Sequence, residues 1–190
     1  MLDQLLQYDR ELFLFLNNLG SVSWDGFWMI YTTKFYWAPL YAILLYLIYK
    51  KENKRSFLAI LAITVLMVLF TDQITNLFKH GLERYRPCHE ASLQNIMRLV
   101  KPTCGGKFGF FSGHASNSMA VAVFVGLLLK QKYHYLIFML LFWAAAMGYS
   151  RIYIGVHYPL DVLCGMIFGA LSGYSFYRLS KYVMHRFIVS

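Results

Sequence analysis

Charged residues are absent from several long apolar stretches of this chain, and that spacing limits the fold more than any other feature. From Ser56 to Thr71, for example, no side chain carries a charge. A helix crosses the roughly 30 Å hydrocarbon core of a bilayer with about 20 mainly apolar residues, and it satisfies its own backbone hydrogen bonds on the way. The chain of 190 residues is 58% hydrophobic and only 14% charged. A typical soluble domain has about a quarter of its residues charged. That balance excludes a typical water-soluble fold, and it excludes a disordered chain, which cannot hold so much apolar surface in water. The reading is an all-α integral membrane protein, a bundle of about five transmembrane helices forming one membrane domain over 1–190.

The five spans run from about Trp24 to Tyr49, Ser56 to Lys79, Ser116 to Leu129, Tyr133 to Tyr149 and Leu160 to Leu179. Lys34 and Pro39 interrupt the first. Residues 1–18 place Leu2, Leu5, Leu6, Leu12, Phe13 and Leu16 on one broad face, the pattern of an amphipathic helix lying in the interface. The start Met1-Leu2-Asp3 lacks a basic n-region, so no cleavable signal is expected. The long polar loop over 80–114 exceeds what a simple connection needs and points to function.

The net charge is +9, from 18 Lys and Arg against 9 Asp and Glu. In a membrane chain such an excess fixes topology or serves an anionic substrate, so nucleic acid is not an expected partner. Five spans put Lys50 to Arg55, Lys130 with Lys132, and the tail with Lys181 and Arg186 on one face. The positive-inside rule makes that face cytoplasmic. The 80–114 loop and the segment 150–159 then face the periplasm of a bacterial inner membrane.

Three polar segments fall at that opposite face. In Lys79-His-Gly-Leu-Glu-Arg-Tyr-Arg86-Pro87, Lys79 and Arg86 are seven residues apart and share a face if helical. Phe111-Ser112-Gly113-His114 opens the third span, and Ser150-Arg151 to His157 and Asp161 joins the fourth to the fifth. Lys79, Arg86 and Arg151 suit a tetrahedral dianion, with each Arg offering a bidentate fork. Ser112 and Gly113 at a helix start offer backbone N–H groups to the same anion. Asp161, four residues after His157, can bond the imidazole and fix its tautomer. A histidine held in this way can act as a nucleophile, with His114 protonating a leaving oxygen.

These segments resemble the three motifs of the type-2 phosphatidic-acid phosphatase superfamily. Lys79 to Pro87 fits K-x6-R-P, Ser112-Gly113-His114 fits P-S-G-H, and Ser150 to Asp161 fits S-R-x5-H-x3-D, in the family's order. The same motifs occur in vanadium haloperoxidases, which are soluble, as this chain is not. The resemblance implies a metal-independent phosphatase without a cofactor, working through a phosphohistidine. By that resemblance His157 is the nucleophile, Asp161 its partner, and His114 the acid for the leaving group. Lys79, Arg86, Ser112, Gly113 and Arg151 then form the phosphate cradle. The implied substrate is a lipid phosphate or diphosphate drawn from the surrounding membrane lipids: undecaprenyl diphosphate, phosphatidylglycerol phosphate, phosphatidic acid or lipid A. Phe111 stands where the family usually has proline; proline has no N–H, so no donor is lost, and a looser loop with an altered pocket rim is expected.

Arg84 matches the R-x-R-P variant of the first motif and is otherwise a solvated loop charge. Asp72 and Asn76 precede Lys79 on a similar face and suit a supporting role. Lys34 either reaches a headgroup or snorkels. Cys88 and Cys104 are a candidate disulfide across the long loop, with a zinc site including His89 as the poorer-spaced alternative. Cys164 reads as a small core residue. Two other functions fit part of the pattern: a lipid phosphotransferase using the same site, and a non-enzymatic transporter or assembly protein. A transporter needs polar groups near the bilayer middle, where this chain has few.

Overall fold

The structure, a computed structural model, describes residues 1–187, and every regular element among them is helical. The helices are α1 (Leu2–Asn18), α2 (Val22–Thr32), α3 (Ala38–Lys51), α4 (Lys54–Leu82), α5 (Gly113–Leu129), α6 (Leu136–Tyr153) and α7 (Pro159–Phe187). Three of them, α4, α6 and α7, with 29, 18 and 29 residues, are long and apolar enough to cross a membrane, and α5 is a shorter apolar helix. The protein is therefore a multi-pass membrane helix bundle.

The stretch from Trp24 to Tyr49 is not one helix. α2 ends at Thr32, a 3₁₀ turn covers Lys34–Trp37, and α3 starts with Pro39 in its first turn. Proline lacks the N–H that a continuing helix requires, but the first turn of a new helix tolerates it. The Trp37 indole donates to the Tyr31 carbonyl at 2.7 Å and closes the break. Lys34 is exposed there, its ammonium 5.5 Å from the Phe35 ring.

α5 is the inner helix. Its buried residues, from Ala115 and Ser116 to Phe124, Val125 and Leu129, point in all directions, so it is wrapped by its neighbours. Its tightest partner is α7, whose Gly165, Gly169 and Gly173 recur every fourth residue and face the carbonyls of Ser112, Ser116 and Ala120. A Cβ on Gly169 would run into the Ser116 carbonyl, so the two backbones touch directly. Small residues every four positions produce this close approach in membrane helices.

Basic residues gather at one end of the bundle. Lys50 and Lys51 end α3, Lys54 and Arg55 start α4, and Lys51 donates to the Leu128 carbonyl near the end of α5 at 2.6 Å. At the other end α4 and α6 finish while α5 and α7 begin.

α1 docks at that second end by a face that overlaps its leucine stripe only in part, with Leu14 and Leu16 packed against the cluster that holds Phe13. Asp9, Phe13 and Asn17 are its buried residues, while Leu2, Leu5, Leu6 and Leu12 stay exposed. The Asn17 amide donates to the carbonyls of Arg98, Ile152 and Tyr153 at 3.0, 3.0 and 2.9 Å. It thus satisfies carbonyls that the end of α6 leaves open. The face read from the sequence included Phe13, which instead packs edge-on against Tyr158. A polar pair one turn to either side of Phe13 decides which side of α1 is bound.

Candidate active site

α4 ends where Glu83 takes a left-handed conformation, φ 48°, and donates its N–H to the Lys79 carbonyl at 3.1 Å. The chain turns there and enters the long loop, which returns along itself. Gly109 donates to the Arg84 carbonyl at 2.8 Å and Arg86 to the Lys107 carbonyl at 3.2 Å. Cys88 and Cys104 join the two arms in a disulfide with Cα atoms 5.9 Å apart. His89 lies beside it, its Nε2 3.4 Å from the Gly105 carbonyl.

Gly109 is the point of convergence. A Cβ there would sit 3.0 Å from Arg86, 3.1 Å from Asp161 Oδ2 and 3.5 Å from His157 Nδ1. Any larger residue would push these groups apart, which makes the glycine a requirement of close approach. Arg86 is held by its Nε, which donates to the Phe108 carbonyl at 3.1 Å. Lys79 lies against the start of α5, 3.7 Å from a Cβ built on Gly113, and donates to Asn76 Oδ1 at 3.3 Å. Asp72 is exposed on α4.

Ser112 caps α5, its hydroxyl accepting from the Ala115 N–H at 3.5 Å, and its own N–H donates to the Asp161 carbonyl at 2.9 Å. The α5 N-terminus therefore opens beside the start of α7. His114 lies within electrostatic reach of Arg151, His157, Lys101 and Lys79. Phe111 does not loosen this turn. It is buried, its ring 5.2 Å from Phe78 and 5.1 Å from Phe168, and so wedges the turn between α4 and α7.

His157 and Asp161 are 2% and 0% exposed. His157 Nδ1 lies 3.3 Å from Asp161 Oδ2, which also accepts the Tyr158 N–H at 3.1 Å. Burial, followed by the charges of Arg151, Arg86, Lys79 and Arg84, pushes the His157 imidazole well below the ordinary histidine value. The ring is therefore neutral at pH 7. With Nδ1 facing Asp161, Nε2 is the nitrogen left for another partner.

The cations divide into two sets. Arg84 and Arg98 are ion-paired, Arg84 to Asp9 and Asp161 at 2.6 and 2.7 Å, Arg98 to Asp25 at 2.9 Å. Lys79, Arg86 and Arg151 form no ion pair among the described residues. Arg151 is buried; its Nη1 donates to Thr32 Oγ1 at 2.7 Å, and its Nε has no partner among the described residues. Lys79 and Arg86 are half-buried, but Arg151 is a buried cation without a carboxylate among the described residues, a charge that an anion from elsewhere would offset.

Lys79, Arg86, Ser112, Gly113, His114, Arg151, His157 and Asp161, drawn from three separate stretches, thus meet at one end of the bundle. Thr32 and Asp9 touch this assembly too, and neither is signalled by a motif. Thr32 precedes the break between α2 and α3. Asp9 has only a spacing signal, four residues before Phe13 and eight before Asn17 on the docking side of α1. The glycine stripe Gly165, Gly169, Gly173 went unread in the sequence, although small residues every four positions are its signal. Cys164, beside it, is half-buried and free.

A membrane bundle that gathers cations around a buried histidine agrees with the comparisons that follow, which make the protein a membrane lipid phosphatase, a hydrolase of phosphate monoesters or diphosphates. The chain belongs to the PAP2 superfamily, whose family profile matches residues 57–185. It is 35% identical to a lipid A 4'-phosphatase of Bacteroides thetaiotaomicron, over 95% of this chain and 80% of that protein. A lipid A 4'-phosphatase of Porphyromonas gingivalis is 33% identical, over 98% of this chain and 79% of its own length. An undecaprenyl-diphosphatase of Sulfolobus acidocaldarius is 27% identical, over 88% and 76%. Among solved structures, Aquifex aeolicus LpxE superposes with a TM-score of 0.64 at 26% identity, over 88% of this chain and 93% of that one. A transmembrane PAP2-type phosphatidylglycerolphosphate phosphatase of Bacillus subtilis shares the fold, with a TM-score of 0.74 at 20% identity, over 97% and 89%.

Proposed function

We propose that the protein removes phosphate from a membrane lipid through a phosphohistidine on His157. The observation that carries this reading is the pairing of a buried His157–Asp161 couple with three cations that form no ion pair among the described residues. Lys79, Arg86 and Arg151, with the N–H groups at the start of α5, hold the phosphoryl oxygens and offset charge as the transition state forms. His157 Nε2 attacks phosphorus while the bond to the lipid oxygen breaks and His114 gives that oxygen its proton. Water then attacks phosphorus, His114 takes the water proton, and the N–P bond breaks to release inorganic phosphate. Asp161 stays ionised and holds the imidazole in register.

The substrate class is a lipid phosphate. Both relatives above 30% identity are lipid A 4'-phosphatases, which makes a lipid A-type phosphomonoester the first compound to test. The undecaprenyl-diphosphatase relative puts a lipid diphosphate second. The basic ends of α3, α4, α5 and α7 face the cytoplasm in this reading, and the site opens to the periplasm of a bacterial inner membrane. The whole chain works as one membrane phosphatase domain, with α1 at the interface and the 80–114 loop outside.

Purified protein presented with lipid A, undecaprenyl diphosphate, phosphatidylglycerol phosphate and phosphatidic acid should release phosphate from at least one. Vanadate should inhibit, and His157→Ala should lose at least about 10³-fold in rate. Full turnover by His157→Ala would remove the mechanism. Phosphate passed to an acceptor lipid without release would make the protein a phosphotransferase.

A further inference from the structure

Asp161 has two carboxylate oxygens, and only one serves His157. Oδ2 faces His157 Nδ1 and accepts the Tyr158 N–H, at 3.3 and 3.1 Å. Oδ1 accepts from Arg84 Nη1 at 2.7 Å. The other arm of the same fork, Nη2, donates to Asp9 Oδ2 at 2.6 Å. Asp9 Oδ1 in turn accepts the N–H of Leu160, in the first turn of α7, at 2.7 Å. The path closes on itself: Asp9 on α1, Arg84 after α4, Asp161 on α7, and back through Leu160 to Asp9. Both carboxylates are almost wholly buried, Asp9 6% and Asp161 0% exposed. The Arg84 guanidinium lies 4.4 Å over the Tyr158 ring, which Phe13 of α1 supports from its edge at 5.4 Å.

We infer that Asp9 and Arg84 are positioning residues for the nucleophile, so that the N-terminal helix is part of the catalytic apparatus. Arg84 resembles a cradle cation in sequence, yet its charge is committed to two carboxylates on the side of Asp161 away from His157. A single carboxylate partner would leave one arm of the fork open. Asp9 occupies that arm and fixes the guanidinium plane, which in turn fixes the rotation of the Asp161 carboxylate. The orientation of His157 follows from that carboxylate, and small errors in a nucleophile's placement are costly in rate. The inference rests on the His157 mechanism proposed above.

Asp9→Asn is the decisive variant, because its amide oxygen still accepts from Leu160 while its NH₂ opposes the Arg84 fork. The full-length protein in detergent, assayed on its active lipid phosphate, should lose about ten- to a hundredfold in kcat with KM within about twofold. Asp9→Glu should recover part of that loss, and Arg84→Ala should regain rate when guanidinium is added. Thermal melting of each variant keeps misfolding apart from mispositioning. A kcat for Asp9→Asn within twofold of the parent, with His157→Ala inactive, overturns the inference and leaves the mechanism standing. A loss shared by kcat, KM and melting temperature, without recovery in Asp9→Glu, also overturns it, since Asp9 would then only hold α1 in place. Activity in His157→Ala removes both.

Discussion

The backbone N–H of Ser112 donates to the backbone carbonyl of Asp161 at 2.9 Å. One bond thereby joins the helix start proposed to hold phosphate to the residue that faces His157. Four residues further along α7, a Cβ on Gly165 would collide with the Ser112 carbonyl, so the contact continues directly into the helix packing. The geometry of the site is thus set by how closely α5 and α7 approach.

Gly169→Val should separate those two helices. The added methyls meet the Ser116 backbone, which cannot retreat as a flexible side chain can. Overpacking of this kind costs about 1–3 kcal/mol. Melting temperature and kcat should fall together. Gly81→Ala is the control: nothing lies within 4 Å of its Cβ position on α4. A helical glycine replaced by alanine gains about 0.5–1 kcal/mol, so this variant should melt at or above the parent temperature with unchanged turnover.

Arg151→Lys and Arg151→Ala test the unpaired cations. Lysine keeps the charge but cannot bond Thr32 and a phosphoryl group as a planar fork does. Loss of one donor to developing charge typically costs about 10²–10³ in rate. Arg151→Ala should fall in that range and Arg151→Lys should recover little of it. Because side chains supply the positive charge in the proposed mechanism, turnover should persist in EDTA. An EDTA-dead enzyme revived by a divalent ion would contradict it.

The Cys88–Cys104 disulfide closes the loop just after Arg86, and a Cβ on Gly105 would sit 4.0 Å from Arg86 Nη1. A crosslink over a loop of this size contributes about 3 kcal/mol by restricting the unfolded chain. Reduction, or the double change Cys88→Ser with Cys104→Ser, should lower the melting temperature and raise KM more than it lowers kcat. The same thiols report topology. After mild reduction in intact cells, an impermeant maleimide should label them without permeabilising the inner membrane.

His157 also governs an acid limb of stability. Its value in the folded protein lies well below 6.5, chiefly through burial, while the unfolded chain titrates near 6.5. Below about pH 6.5 the unfolded state takes up a proton that the folded state refuses, so stability falls with pH and is flat above. The slope from this one group is at most about 1.4 kcal/mol per pH unit. Melting curves from pH 8 to pH 5, compared with His157→Gln, should show a steeper acid loss in the parent. Equal slopes would mean that the folded histidine accepts the proton.

Much of the site was legible in the chain because its chemistry is carried by local spacing. Lys79 with Arg86, Ser112 to His114, and Arg151 to Asp161 keep their intervals whatever surrounds them. Residues that act across the fold were not legible in that way. Thr32 bonds Arg151 over 119 positions, and Arg84 meets Asp161 over 77. Phe111 reads as a departure from a motif, yet its ring is a wedge between Phe78 and Phe168.

The sequence by itself determined that the chain lies in a membrane, because apolar runs without charge have no other stable solvent. It also singled out the residues proposed to hold phosphate and to attack it, because each motif is short enough to act as one piece of backbone. Tertiary structure alone decided which cations would be neutralised. Arg84 and Arg86 are two residues apart in one loop, but Arg84 points to Asp9 and Asp161 while Arg86 forms no ion pair among the described residues. It also decided which face of α1 would be bound, since a buried Asp9 is tolerable only beside that Arg84. The physical reason is the same in both cases: the free energy of a buried charge depends on what packing places next to it.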